Sequence, residues 1–155
     1  MLGGYLRDES GVALVEFALV LPILLVILFG VLDFGKAFNY WIDETHLSNT
    51  GARWAVVNKN PSGGTVSLQQ YIRQQANTAE LRNGGTASIG SGLQVCITFP
   101  AGTSNVGDPV RVQVSTTYNW IPFLGDRINV ASTPLRGTAT MRLEARPTNY
   151  SAGCA

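Results

Sequence analysis

The feature that most constrains this chain is an apolar run near its N-terminus. Val12–Leu32 spans 21 residues and contains a single charged side chain, Glu16. At 1.5 Å per residue, a helix of this length measures about 31 Å, which matches the ~30 Å hydrocarbon core of a bilayer. The run therefore predicts a membrane-spanning helix.

A cleaved secretory signal is the competing interpretation of this run. The apolar core of such a signal usually has about 7–15 residues and precedes a small-residue cleavage site. Here the run is longer and continues directly into the segment Asp33-Phe34-Gly35-Lys36, so we expect a retained anchor. Pro22 lies inside it and predicts a kink or a locally loosened turn, which spanning helices tolerate better than helices in water.

Residues 33–58 are predicted to extend the same helix as an amphipathic stalk. Its less polar stripe recurs every three or four residues and consists of Phe34, Ala37, Phe38, Trp41, Thr45, Ser48, Ala52 and Ala55. The charged residues mostly fall off that stripe; they are Asp33, Lys36, Asp43, Glu44 and Arg53. Tyr40 and Trp41 suit the headgroup level. A cluster of Asn, Pro and Gly residues at 58–64 predicts the end of the helix.

The remainder, residues 59–155, is predicted to form an extracytoplasmic α+β domain. A short helix is expected from Ser67, a suitable N-cap, to Leu81. Three alternating stretches follow, and they predict a small antiparallel sheet of about three strands with one wet face. Their apolar faces carry Leu93, Val95, Ile97 and Phe99, then Val110, Val112, Val114, Thr116 and Tyr118, then Ala139, Met141 and Leu143. Residues 102–109 and 121–134 are the expected connections.

Composition argues against several functional classes. Charged residues make up 14% of the chain, against about 25% in typical soluble domains, and the net charge of +1 gives no reason to expect a nucleic acid partner. The two cysteines and one histidine are too few for a metal centre. No nucleophile with a base and no paired carboxylates emerge either. We therefore expect no enzymatic activity, no metal and no cofactor.

The two cysteines, Cys96 and Cys154, leave two alternatives open. In an exported domain they can form one disulfide, whereas in a reducing compartment they would be free thiols. Cys96 falls on the wet face of the first predicted strand, which a terminal segment carrying Cys154 can cross.

The most informative constellation is Gly11, followed by four residues and then Glu16-Phe17, at the head of the apolar run. A glycine offers a peptidase an unhindered backbone at the membrane edge. A carboxylate within a spanning segment needs a partner or a proton. Cleavage after Gly11 would create an α-amine on Val12, four residues from Glu16 and hence on the same helix face. The plain alternative is a Glu16 carboxylate that snorkels to the membrane edge.

The segment GVALVEFALVLPILLVILFGVLDFG resembles the N-terminus of TadE-like pseudopilins of the tight-adherence (Tad/Flp) type IV pilus system. The matching positions are Gly11, Glu16, Phe17, Pro22 and Asp33-Phe34-Gly35. The resemblance is strong over residues 11–58 and diffuse beyond. It implies a leader of residues 1–11 that a prepilin peptidase removes after Gly11, and a mature protein that begins at Val12.

The resemblance further implies a single-pass protein of the cytoplasmic membrane with its N-terminus inside, which assembly could transfer to the extracellular pilus. Implied partners are membrane lipid, other pilin or pseudopilin subunits, the prepilin peptidase and the inner-membrane pilus assembly platform. The Val12 amine and Glu16 would pair within or between subunits. About 90 residues of globular domain favour a minor pilin over a bulk fibre subunit. The alternative function is a single-span surface adhesin or sensor that does not enter a pilus.

Overall fold

The computed structural model describes residues 9–120 and 132–155. One long helix, α1 (Glu9–Val56), is followed by two short ones, α2 (Leu68–Gln74) and α3 (Ala79–Asn83). Four strands follow: β1 (Gln94–Thr98), β2 (Pro109–Asn119), β3 (Ser132–Arg142) and β4 (Gly153–Cys154). The predicted α+β class, with a long apolar N-terminal helix and an antiparallel sheet, is confirmed.

The sheet has four strands in the order β3-β2-β1-β4, and every pairing is antiparallel. The prediction of about three strands was wrong by one, because β4 has only two residues and cannot display a period-two pattern. It pairs Cys154 with Cys96 and Gly153 with Ile97. A disulfide joins Cys96 and Cys154, 58 residues apart in sequence, and fixes the terminal segment to the edge of β1.

The core lies between one face of the sheet and one side of α1. The apolar face predicted for β2 is buried along its whole length, from Val110 to Tyr118, and that prediction is confirmed. Leu68, Ile72 and Leu81 close the core from α2 and α3. Burial of such side chains removes apolar surface from water and supplies the main driving force for the fold.

The short helical region departs from the sequence prediction at two points. The helix expected from Ser67 to Leu81 is divided into α2 and α3, because Asn77 turns aside to bind the carboxylate of Asp43 through its backbone amide at 3.0 Å and its side-chain amide at 2.8 Å. Thr78 then begins α3 as a new N-cap. At the other end, α1 stops at Val56, two residues before the predicted end.

The buried side of α1 also differs from the predicted stripe. Ala37, Ser48, Ala52 and Ala55 are buried, but Phe34, Phe38 and Trp41 are exposed, by 63%, 48% and 45%. The domain instead covers a neighbouring side of the helix, which includes Tyr40, Asp43, Glu44 and Leu47. The apolar period correctly predicted a helix. It did not predict which of the apolar residues face the domain. The connection predicted at residues 121–134 ends earlier, since β3 begins at Ser132; residues 121–131 lie outside the described part of the chain.

α1 and β3 approach each other closely because a glycine stands at their crossing. A Cβ atom added to Gly137 would lie 2.3 Å from the backbone oxygen of Glu44, far inside van der Waals contact. Farther along, the backbone amides of Glu144 and Ala145 donate to the carbonyl of Val56 at 3.0 and 3.2 Å. These bonds satisfy a carbonyl that the end of a helix would otherwise leave unpaired. β3 therefore runs beside α1 in the same direction.

Glu44 is fully buried at this crossing. In the described part of the chain, no group is in hydrogen-bonding geometry with either carboxylate oxygen. Its pKa is raised to about 8 from an ordinary 4.5 because burial disfavours the charged form; the nearby backbone of Thr116 opposes the rise and the charge of Asp43 adds to it. The carboxyl group is therefore mostly protonated near neutral pH.

We expect Gly137→Ala to destabilise the protein. The added methyl group must displace the backbone of α1, and overpacking of this kind costs about 1–3 kcal/mol. Gly90→Ala is the matched control, because a Cβ there meets nothing within 4 Å. Urea unfolding of the full chain in detergent micelles measures both. Equal stability of the two variants would contradict the close crossing.

We expect Glu44→Gln to flatten part of the pH dependence of stability. A carboxyl group whose pKa is raised on folding binds more protons in the folded state, so wild-type stability falls as pH rises from about 4.5 to about 8. The advantage of the variant over the wild type should grow across this interval by a few kcal/mol, at about 1.4 kcal/mol per pKa unit. Unfolding at pH 5, 7 and 9 tests this, with exposed Glu144→Gln as control. Parallel wild-type and Glu44→Gln profiles would refute the expectation.

Candidate assembly site on the exposed half of α1

The residues predicted to carry cleavage and assembly all lie at the start of α1. Gly11, Val12, Glu16 and Phe17 are helical and exposed, Val12 and Phe17 each by 61%. Val12 and Glu16 are one turn apart on the same helix face. A Cβ added to Gly11 would meet no atom within 4 Å, so the space beside this residue is open. Residues 1–8 of the predicted leader lie outside the described residues.

The apolar half of α1 has no cover from the domain. Among the described residues, α1 is the one helix long and apolar enough to cross a membrane; its most apolar 18-residue window has a mean hydropathy of 2.9 and none of it is buried. Leu19, Ile23 and Val31 are each at least 65% exposed. Such a surface needs lipid or another apolar helix around it. The long N-terminal helix thus has the properties of a single-pass anchor.

Pro22 lies inside α1, which is helical on both sides of it. Proline lacks the amide that would donate to the preceding turn, so it loosens the helix locally. The predicted kink at this position stays a prediction.

The domain is hydrogen-bonded to α1 immediately after the apolar run. The Tyr118 hydroxyl donates to Oδ1 of Asp33 at 2.5 Å, which ties the end of β2 to the first charged residue beyond Leu32. The pKa of Tyr118 is raised, mainly by burial and also by this carboxylate. A buried or half-buried carboxylate that accepts a strong hydrogen bond holds two elements in one geometry.

A second polar contact between the domain and α1 is centred on Glu80 of α3. Its carboxylate accepts hydrogen bonds from Tyr40 and Thr86 and pairs with Lys36, whose Nζ also donates to Ser88 at 3.1 Å. Burial alone would raise the pKa of Glu80, but these donors and the charge of Lys36 together lower it. Sequence analysis missed this cluster, because nothing in the spacing of Lys36 and Glu80, 44 residues apart, announces their contact.

Three aromatic side chains extend the exposed apolar surface of α1 past Leu32, next to these polar contacts. Phe34 and Phe38 have ring centroids 6.4 Å apart, and Phe38 and Trp41 5.7 Å apart. Trp120, the residue after β2, stacks on Phe34 with ring centroids 6.4 Å apart. We call Phe34, Phe38 and Trp41 the aromatic ridge. It lies beside the domain, on a side of α1 that the sheet leaves open.

The rest of the described surface was compared with what a metal site or a catalytic site requires. Residues 9–120 and 132–155 contain no cluster of three His, Cys, Asp or Glu side chains that could hold a metal. A depression of about 510 Å³ is lined mainly by polar groups, including Arg73, Arg136 and Thr117. It is open and lies between α2 and the outer face of the sheet. The residues that line this depression do not include a nucleophile paired with a base.

Comparison with known proteins bears on the same helix. Residues 11–53 match the family model of TadE-like proteins. The resemblance predicted from Gly11, Glu16 and Phe17 is therefore confirmed over this segment. No curated protein and no solved structure matches the chain. The TadE-like segment begins at the expected cleavage position and ends within the part of α1 that the domain covers.

Proposed function

We propose that this protein is a minor pilin or pseudopilin that takes part in the assembly or initiation of a Tad/Flp pilus. The observation that carries the proposal is the combination, on one helix, of the TadE-like segment at residues 11–53 and an apolar surface that the domain leaves bare. A helix of this kind can be held by lipid before assembly and by neighbouring helices afterwards.

Maturation would begin at Gly11. A prepilin peptidase cuts the bond after it, and the new α-amine of Val12, which is mostly cationic near neutral pH, comes to lie on the face of Glu16. In apolar surroundings the pair offsets the cost of burying either charge alone. Pairing between subunits would also set their relative height, so cleavage and register would be coupled.

The domain would lie on the extracytoplasmic side of the cytoplasmic membrane, and the leader would lie on the cytoplasmic side. Its disulfide between Cys96 and Cys154 suits an oxidising compartment. The partners we propose are other pilin-like subunits, the prepilin peptidase and the inner-membrane assembly platform. The function is structural, and the domain adds a contact surface that a subunit made of little more than the helix would lack.

We expect the mature protein to start at Val12. Mass spectrometry of protein isolated from cells with and without the peptidase provides the measurement. The N-terminal peptide should begin with Val12 only where the peptidase is present. An intact Met1 in peptidase-positive cells would refute the proposal and favour a surface protein that is anchored without processing, such as an adhesin or sensor.

We expect Glu16→Ala and Glu16→Gln to be cleaved but to assemble poorly. Either change leaves the Val12 amine without a counter-charge, and loss of one partner from a buried pair costs about 3–5 kcal/mol. At 1.4 kcal/mol per tenfold, association should fall by roughly two orders of magnitude or more. Leu14→Ala, also exposed but on the opposite face, is the control. Pilus counts by electron microscopy decide; normal counts in both Glu16 variants would contradict the pairing.

A further inference from the structure

The formal charge of this protein is unevenly divided along the chain. Residues 59–155 contain eight Lys and Arg residues and four Asp and Glu residues, which gives a formal charge of +4. Residues 1–58 contain three basic and six acidic residues, which gives −3. The whole-chain value of +1 therefore conceals a basic domain. Such a domain attracts anionic partners if its charges are gathered on one surface.

The arginines of the sheet lie on its outer face, which is the face turned away from α1. Side chains alternate along β2 and β3, and the buried ones point toward α1. The outer face contains the odd-numbered residues of β2 and the even-numbered residues of β3, none of which is buried. Its charged side chains are Arg111, Arg136 and Arg142, and all three are exposed. The other residues that these two strands place there are Ser, Thr, Asn, Gln and Pro, so the outer face is positively charged.

The three guanidinium groups have donors left over for an anion. Arg111 donates through Nε to Oγ1 of Thr140 at 3.4 Å, and Arg142 donates through Nη1 to the carbonyl of Gly107 at 3.2 Å. A guanidinium has five N–H donors, so each of these two keeps most of its donors available. Within residues 9–120 and 132–155, Arg136 donates no hydrogen bond, and no ion pair joins any of the three arginines to a carboxylate.

The arginines are spaced for a chain of anionic groups and not for one small anion. Arg111 is directly opposite Thr140 in the register of β2 and β3, so Arg142 is its diagonal neighbour, roughly 7–8 Å away. Arg136 is four residues from Thr140 on β3, or about 13 Å along the strand. One acidic group can therefore contact Arg111 and Arg142 together, whereas Arg136 needs a second acidic group farther along the same ligand.

Hydroxyl and amide side chains occupy the space between these two anion positions. Thr138 and Gln113 are paired across β3 and β2 and lie between Arg136 and Arg111. Hydroxyl and amide groups both donate and accept hydrogen bonds, as the hydroxyl groups of a sugar require. The strands β1, β2 and β3 place no aromatic side chain on the outer face, so the face lacks the platform on which nucleotide bases stack.

The bilayer that surrounds the anchor does not reach the outer face. β3 runs beside α1 in the same direction, from the bond between Tyr118 and Asp33 to the bonds at Val56. The sheet therefore stands along the helix axis and not across it. Its outer face points sideways, away from α1 and from the aromatic ridge, so the headgroups of the same membrane do not lie against it.

We propose that the outer face of the sheet binds an acidic polysaccharide, a sugar chain that carries carboxylate groups at repeated positions. Arg111 and Arg142 hold one carboxylate, and Arg136 holds a second. Thr138 and Gln113 contact the sugar hydroxyls between them. Charge complementarity identifies the partner as an anion, and the hydroxyl and amide groups between the charges identify it as a sugar chain. No residue of α1 takes part, so the site does not depend on the proposed function.

Binding of the full chain, held in detergent micelles, to immobilised polygalacturonate tests the proposal. The double variant Arg136→Gln/Arg142→Gln should bind roughly tenfold more weakly, because each exposed ion pair contributes up to about fivefold. Arg53→Gln/Lys59→Gln is the matched control: it removes the same charge from exposed residues at the end of α1 and just after it, and it should bind like the wild type. Equal weakening of both double variants would overturn the proposal, because net charge and not the outer face would then determine binding.

Urea unfolding shows whether the double variant is folded. If it is not, Arg136→Gln alone replaces it, since that side chain has no described partner to lose; the expected weakening is then up to about fivefold. Unchanged binding by the folded variant would overturn the proposal.

A comparison of ligands separates an acidic sugar chain from other partners. Polygalacturonate should bind and dextran, a neutral polysaccharide, should not. Raising NaCl from about 0.15 M to about 1 M should remove most of the binding, since the screening length falls from about 8 Å to about 3 Å. Equal binding of dextran, or binding that salt does not weaken, would overturn the role of the arginines. Tighter binding of polyphosphate or duplex DNA would overturn the assignment to a sugar chain, and no binding of polygalacturonate would overturn the whole proposal.

Discussion

The structure depends on the contact between α1 and the sheet, in which Gly137 lets two backbones meet. At that point the helix carbonyl of Glu44 occupies the space where any other residue would carry a Cβ atom. Hydrogen bonds hold the domain to the helix on both sides of this point: Tyr118 reaches Asp33, Glu80 reaches Lys36 and Tyr40, and Val56 receives the amides that follow β3. The first half of α1 has no comparable cover and remains bare.

The carboxylates along the covered part of α1 divide into two kinds. Asp33 and Asp43 accept hydrogen bonds from the domain and anchor it at two heights. Glu44 is buried, and among the described residues only the nearby backbone of Thr116 favours its charged form, so its pKa is raised. Buried polar groups normally find partners, so Glu44 is a place where the fold gives up stability.

Sequence patterns predicted those features that a single element specifies by itself. The length of Val12–Leu32 indicated a spanning helix, and the alternation in β2 indicated its buried face. Gly11, Glu16 and Phe17 indicated the similarity to TadE-like proteins over residues 11–53. The patterns could not predict which side of α1 the domain covers, because aromatic and small residues recur with the same helical period. Phe34, Phe38 and Trp41 therefore turned out exposed, whereas Asp43 and Glu44 were buried. The cluster at Glu80 and the two-residue β4 depend on pairings across 40 residues or more, which no local spacing records.

The parallel run of α1 beside β3 has a mechanical consequence. A pull on the domain along the helix axis would load the contacts from Asp33 to Val56 in shear, so they would share the force instead of opening one after another. The disulfide between Cys96 and Cys154 removes the terminal segment as a starting point for peeling. Tension applied to the anchor would accordingly be distributed over the length of the covered helix, and resistance to it would scale with that length and not with the strength of any one bond.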